Sequence, residues 1–148
     1  MSAGYSKKRL AEKMGIKTGT RVFIFNAPEH FFSHTLLGLP ANVELAATLD
    51  GHFDLIQLFA ANAETLTANF DRLKQHLTPN GSLWVSWIKI SSGLTTNLTE
   101  SAVRQYGLDN GMVDVKVIAV DSVWSALKFV YRLKDRAPSS GTGQPLPK

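Results

Sequence analysis

Residues 53–89 read FDLIQLFAANAETLTANFDRLKQHLTPNGSLWVSWIK, and the succession of patterns in this stretch decides the fold class. FDLIQLFA (53–60) is a short, nearly continuous apolar run, the pattern of a strand buried on both faces. Asn62 then stands where a helix N-cap belongs, and Leu66, Phe70, Leu73 and Leu77 recur at helical spacing, which predicts an amphipathic helix with one buried face. Pro79-Asn80-Gly81 breaks that helix, and SLWVSWIK (82–89) is a second buried strand. Strand, helix and strand in this order make a βαβ unit, with parallel strands and the helix laid across one face.

The same alternation extends outward without an internal repeat. Upstream, Ser6 to Met14 predicts a short helix with Ser6 as N-cap and Gly15 as its stop, and Thr20 to Asn26 a buried strand. Pro28 suits the first turn of a helix carrying Phe31, Phe32, Leu36 and Leu37 toward Gly38 and Pro40, with Asn26 to Pro28 as its cap, and Val43 to Ala46 is a short strand. Downstream, Asn97 and Glu100 form a capping pair for a helix reaching about Leu108, closed by Asp109-Asn110-Gly111. VDVKVIAV (113–120) and WSALKFVYRL (124–133) flank a tight turn at 121–123, so they must be antiparallel. A right-handed crossover through the helix near 97–108 leaves one sheet position vacant, and the last strand is expected to enter it between 82–88 and 113–120. The expected architecture is α/β: a mostly parallel, Rossmann-like sheet of about six strands ending in an antiparallel hairpin, with helices on both faces. Residues 1–134 make one domain, and DRAPSSGTGQPLPK (135–148) is expected to be a disordered tail.

Composition narrows the function. A chain of 148 residues with 44% apolar content makes one core. It has no cysteine, which excludes disulfides, thiolate zinc sites and a catalytic thiol. No apolar run nears the roughly 20 residues of a membrane span, and Met1 to Lys17 is charged where a signal peptide needs an apolar centre, so a soluble cytoplasmic protein is expected. Residues 1–21 hold six basic side chains against Glu12 alone, whereas the remainder, with ten basic and eleven acidic, is at −1. A solvated helix face is the preferred reading of that basic segment, over contact with nucleic acid or an anionic surface.

From 54 to 133 the order strand, helix, LTPNG, strand, helix, hairpin resembles the C-terminal half of the S-adenosylmethionine-dependent methyltransferases, in which the segment matching LTPNGSLWVSW begins the fifth strand. Between Gly38 and Phe53 the chain is too short for two further βα units, which implies a reduced version lacking one strand and helix. From AGYSKKRLAEKMGIKTGTRV through SSGLTTNLTE to VDVKVIAVDSVWSALKFVYRL, residues 3–133, the chain also resembles a family of small bacterial proteins known only as a domain of unknown function, which implies no activity.

The methyltransferase resemblance implies a glycine loop after the first strand, because glycines adopt positive φ and let the backbone approach the cofactor. TRVFIFNAPEHFF (20–32) has none. Pro28 removes a donor and Glu29 places a negative charge where the cofactor's carboxylate would lie, so no cofactor is expected. Asp50 is the nearest candidate for a ribose-binding acid, and reads equally as a turn residue. His30 and His34 share a helix face as metal ligands do, but no third ligand is evident and no metal site is expected. Ser125 and Lys128 match S-x-x-K, yet on a strand they point to opposite faces. Residues 6–20 open like a helix-turn-helix, but a β-branched strand replaces the recognition helix, which disfavours nucleic acid.

In open α/β sheets ligands bind beyond the carboxyl ends of the strands. The candidate pocket is therefore Asn26, Glu29, Asn62, Trp87, Lys89, Ser91, Ser92, Thr95 and Thr96. Lys89 to Asn97 combines a cation, four hydroxyls and Gly93 before a helix start, a way to hold an anion, although capping accounts for Thr95, Thr96 and Asn97 better. No catalytic residues stand out. The favoured reading is a non-catalytic scaffold acting through protein contacts or small-molecule binding, with a protein partner or a second copy of the chain left open and a membrane not expected. The alternative is an enzyme with an atypical cofactor or anion site at 87–97.

Overall fold

The structure is a computed structural model that describes residues 8–136. Ser6 and Lys7, and the expected tail beyond Arg136, lie outside the described residues. In chain order the principal elements are α1 (Leu10–Met14), β1 (Arg21–Phe25), β2 (Glu44–Leu45), β3 (Phe53–Phe59), α2 (Ala63–Lys74), β4 (Leu77–Ile88), α3 (Glu100–Asp109), β5 (Met112–Ala119) and β6 (Trp124–Tyr131). One six-stranded sheet has the order β2-β1-β3-β4-β6-β5. The first four strands are parallel, and β6 runs antiparallel to both β4 and β5. The last strand therefore occupies the slot that a crossover through α3 leaves open, pairing Leu83 with Phe129 and Val85 with Leu127 on one edge. LTPNG begins the fourth strand in chain order, in keeping with a sheet that lacks one strand between β2 and β3.

The inner strands of the sheet are buried on both faces, which is why they read as apolar runs. On one face Ile56, Leu58, Val85, Leu127 and Phe129 meet Leu66, Phe70 and Leu73 of α2 and Val103 of α3. On the other, Leu55, Phe59, Trp84 and Ala126 meet Leu10, Ala11 and Met14 of α1, together with Phe31. Trp84 is fully buried, and its Nε1 donates to the Met14 carbonyl at 3.1 Å, so the indole is desolvated without an orphaned donor.

Four local expectations need correction. The first helix starts at Leu10, not Ser6: Lys8 and Arg9 are non-helical, and the Arg9 backbone N–H donates to Glu12 Oε1 at 3.2 Å. Gly15 does stop it, at φ 83°. No α-helix follows Pro28. Asn26 and His30 both take positive φ, at 64° and 69°, and interrupt the helical path, so only one π-helical turn forms at Phe31–Thr35, held by the buried Phe31. The α3 cap is Thr99, whose side chain accepts from Ala102 N, rather than Asn97. Leu77 belongs to β4, not to the α2 face, because β4 pairs with β3 already at Phe53↔Leu77, and Pro79-Asn80-Gly81 loops out as an irregularity before Leu55↔Ser82.

Candidate functional site

The parallel strands end together at Phe25, Phe59 and Ile88. Chain direction across the sheet reverses between β1 and β3, which makes their ends the switch point where α/β proteins bind ligands. Here Asn26 fills the gap. Its left-handed φ is tolerated by asparagine, and its Nδ2 reaches from the end of β1 to donate to the Phe59 carbonyl at 3.1 Å. Beside it Phe31 packs edge-on against Phe59, ring centroids 4.9 Å apart, and Phe59 in turn meets Trp124 at 5.0 Å. Glu29 is exposed, 3.5 Å from His30 Nε2. His30 and His34 lie edge to face at 5.2 Å, and no group of three or more ligating side chains exists among the described residues. Asp50 is far from this mouth: it precedes β3, where its carboxylate accepts from Thr48 Oγ1 at 2.9 Å and its carbonyl accepts from Arg21.

The remaining candidates divide according to which backbone they satisfy. The Asn62 carboxamide oxygen caps α2, accepting from Thr65 N and Thr65 Oγ1, each at 2.8 Å. Thr96 Oγ1 donates to the Ala61 carbonyl at 2.8 Å, and Asn97 Oδ1 accepts from Ala63 N at 2.7 Å, so this loop ties down the start of α2. Ser92 Oγ donates locally to the Lys89 carbonyl at 2.7 Å, and Thr95 is exposed. Trp87, Lys89 and Ser91 are different. They line a cleft of about 300 Å³ together with Ile88, Ile90, Leu98, Thr99, Glu100 and Ser125. Its floor is the buried Trp87 indole, one wall is the short 3-10 turn Ile90–Ser92, and the other is the first turn of α3.

Thr99, Glu100 and Ser125 were not legible as site residues. Ser125 reaches the cleft only because the β4–β6 register sets it opposite Trp87. Glu100 faces the cleft while accepting from Arg104 Nη2 at 2.9 Å, and Arg104 Nε donates to Asp114 at 2.9 Å. These bonds, Asp114's foremost, hold the guanidinium pKa above its usual value. The Lys89 ammonium has no partner among the described residues, so the cleft presents one free cation, the hydroxyls of Ser91 and Ser125, and an apolar floor. That is a surface suited to a small molecule with an apolar body and one anionic group.

No protein-family model matches the chain, and no curated protein sequence does. Solved structures do. The DhpI–SAH complex is 10% identical with a TM-score of 0.55, covering 78% of each chain. Ribosomal protein L11 methylase from Lactobacillus delbrueckii subsp. bulgaricus is 16% identical with a TM-score of 0.51, covering 82% of this chain and 74% of that one. Magnesium protoporphyrin IX methyltransferase (ChlM) from Synechocystis PCC 6803 with bound SAH is 12% identical with a TM-score of 0.53, covering 83% and 78%. The fold is Rossmann-like and methyltransferase-like.

Such a fold implies S-adenosylmethionine at the β1–β3 mouth, and the residues there do not fit it. The positive φ that a glycine would supply survives at Asn26, but the side chain spans the space that the missing Cβ would leave open. Pro28 offers no N–H, and the single π-helical turn aims no helix N-terminus at the gap.

Proposed function

We propose that the protein is a methyltransferase-like scaffold without catalysis, which holds a small anionic molecule in the cleft at the end of β4. The observation that carries this reading is the Lys89 ammonium, without a partner among the described residues, in a cleft of ligand size that the buried Trp87 also lines. The catalytic alternative at the same loop has less support, because Glu100, the one carboxylate lining the cleft, is already engaged by Arg104. We place the protein in the cytoplasm.

Thermal-shift measurements with small carboxylates and phosphate monoesters test the cleft. A ligand at 100 times its Kd adds about 2.7 kcal/mol of stability. Lys89→Ala should abolish that gain for any hit. Calorimetry with S-adenosylmethionine at millimolar concentration should show no saturable heat, and a micromolar Kd for it would overturn the reading.

A further inference from the structure

The face of the sheet that carries α1 ends, beyond that helix, in a lysine cluster that no carboxylate pairs among the described residues. In β5 the pairing with β6 shifts register between Asp114 and Lys116. Without the shift Val115 would oppose Lys128; with it, Lys116 stands directly across from Lys128. Like charges directly opposite in a sheet are destabilising, so the bulge creates a local cost. Lys17, in the turn between α1 and β1, lies close enough to add to it: burial, then Lys116, then Lys17 push the Lys128 ammonium below its usual value. Lys13 stands at the rim, donating to the Ala119 carbonyl at 3.0 Å.

Among the described residues none of Lys17, Lys116 and Lys128 makes an ion pair. Three nearby carboxylates are engaged elsewhere: Glu12 by the Arg9 N–H, Asp114 by Arg104, and Asp121 by the N–H groups of Val123 and Trp124. Residues 1–7 and 136–148 carry no acidic side chain. Lysine on an edge strand is a common defence against edge pairing, which would account for Lys116. It does not account for Lys128, which sits on β6 between two neighbours, or for Lys17, which is on no strand.

We propose that Lys17, Lys116 and Lys128 form a docking surface for the phosphodiester backbone of duplex nucleic acid, bound without regard to sequence. Convergent ammonium groups with no carboxylate among them fit phosphates. Around them the sheet shows Ser82, Val113 and Val130, and the aromatic ring opposite Lys128, Trp84, is fully buried, so among the described residues this part of the sheet offers no exposed ring on which bases could stack, which favours a duplex over a single strand. The surface is independent of the cleft at the end of β4.

Fluorescence anisotropy of the full chain with a short random-sequence duplex tests it. Binding should weaken with salt between about 50 and 200 mM with a logarithmic slope of about −3, one phosphate per lysine. Lys116→Gln with Lys128→Gln should weaken binding at least about tenfold at low salt and reduce the slope by about two. Its melting temperature should be no lower than that of the parent, because the opposed charges are gone. If that pair does not fold, Lys17→Gln with Lys116→Gln, both exposed, gives the same readout. Arg72→Gln removes one positive charge from α2, across the sheet, and should leave the duplex affinity unchanged. No binding at about 50 mM salt, an equal loss with Arg72→Gln, or binding to anionic vesicles through these lysines without binding to duplex would each overturn the proposal.

Discussion

At Gly107 the usual helix rule inverts. A glycine inside a helix costs about 1 kcal/mol relative to alanine. Here a Cβ would overlap Cε1 and Cζ of the fully buried Phe129 and stand 2.6 Å from its Cδ1. Overpacking of this kind costs about 1–3 kcal/mol, so Gly107→Ala should destabilise by a net of up to about 2 kcal/mol. Pairing it with Phe129→Leu should recover part of that loss, a coupling that urea denaturation of the four-member cycle would read. A Gly107→Ala protein more stable than the parent would show that α3 does not approach β6 this closely. At Lys128 the sign is set by charge. A cation whose folded-state pKa is lowered penalises folding at neutral pH, and the penalty lifts as pH rises through the folded value toward the unfolded 10.5. Lys128→Met should therefore melt a few degrees higher than the parent at pH 7, with the gap closing near pH 10.5. A gap that persists unchanged into that range would assign the gain to packing and not to charge.

Helix starts show how elements compete for the same residues. Thr96, Asn97 and Thr99 are all cap formers, and the N-x-x-E spacing from Asn97 to Glu100 favours the first helix start on local grounds. The structure gives Asn97 to the Ala63 N–H of α2 and leaves Thr99 to cap α3. Each substitution, Asn97→Ala and Thr99→Ala, should cost about 1 kcal/mol. Amide hydrogen exchange separates them: Asn97→Ala should lose protection at Ala63 in α2, and Thr99→Ala at Ala102 in α3. If Asn97→Ala loosened only the first turn of α3, the sequence-based assignment would have been right. The segment after β1 follows the same logic in reverse. Pro28 and the Phe31, Leu36 spacing satisfy a helix template, but the positive φ at Asn26 and His30 is a demand of the β1–β3 mouth, to which Asn26 donates. A segment that would have been a nine- or ten-residue helix becomes a single turn.

Across the whole molecule the insertion of β6 between β4 and β5 joins the two halves of the core. Phe129 lies fully buried on β6 and packs edge-on against Phe70 of α2 at 5.7 Å, so the last strand closes the layer formed by the first βαβ unit. Phe129→Asp would lose that ring and strand a carboxylate without a partner, a cost above about 4 kcal/mol against a total stability of about 5–15. It should express as insoluble or unfolded protein, and a soluble variant with a dispersed amide spectrum would show the topology to be wrong. This placement was legible in the sequence. Apolar runs and helical spacing identify strands and helices locally, a turn as short as Asp121-Ser122-Val123 admits only an antiparallel return, and the handedness of crossovers leaves one vacant slot. The sequence by itself therefore determined the α/β class, the strand order of its second half and the absence of a glycine loop after β1. Tertiary structure alone decided which cap former serves which helix, that Asn26 bridges β1 and β3, that Ser125 and Glu100 share a cleft with Trp87 and Lys89, and that Lys116 faces Lys128. Those outcomes depend on register and on where a bulge falls. A shift of one residue turns a side chain to the other face of the sheet, and no local pattern in these residues records it.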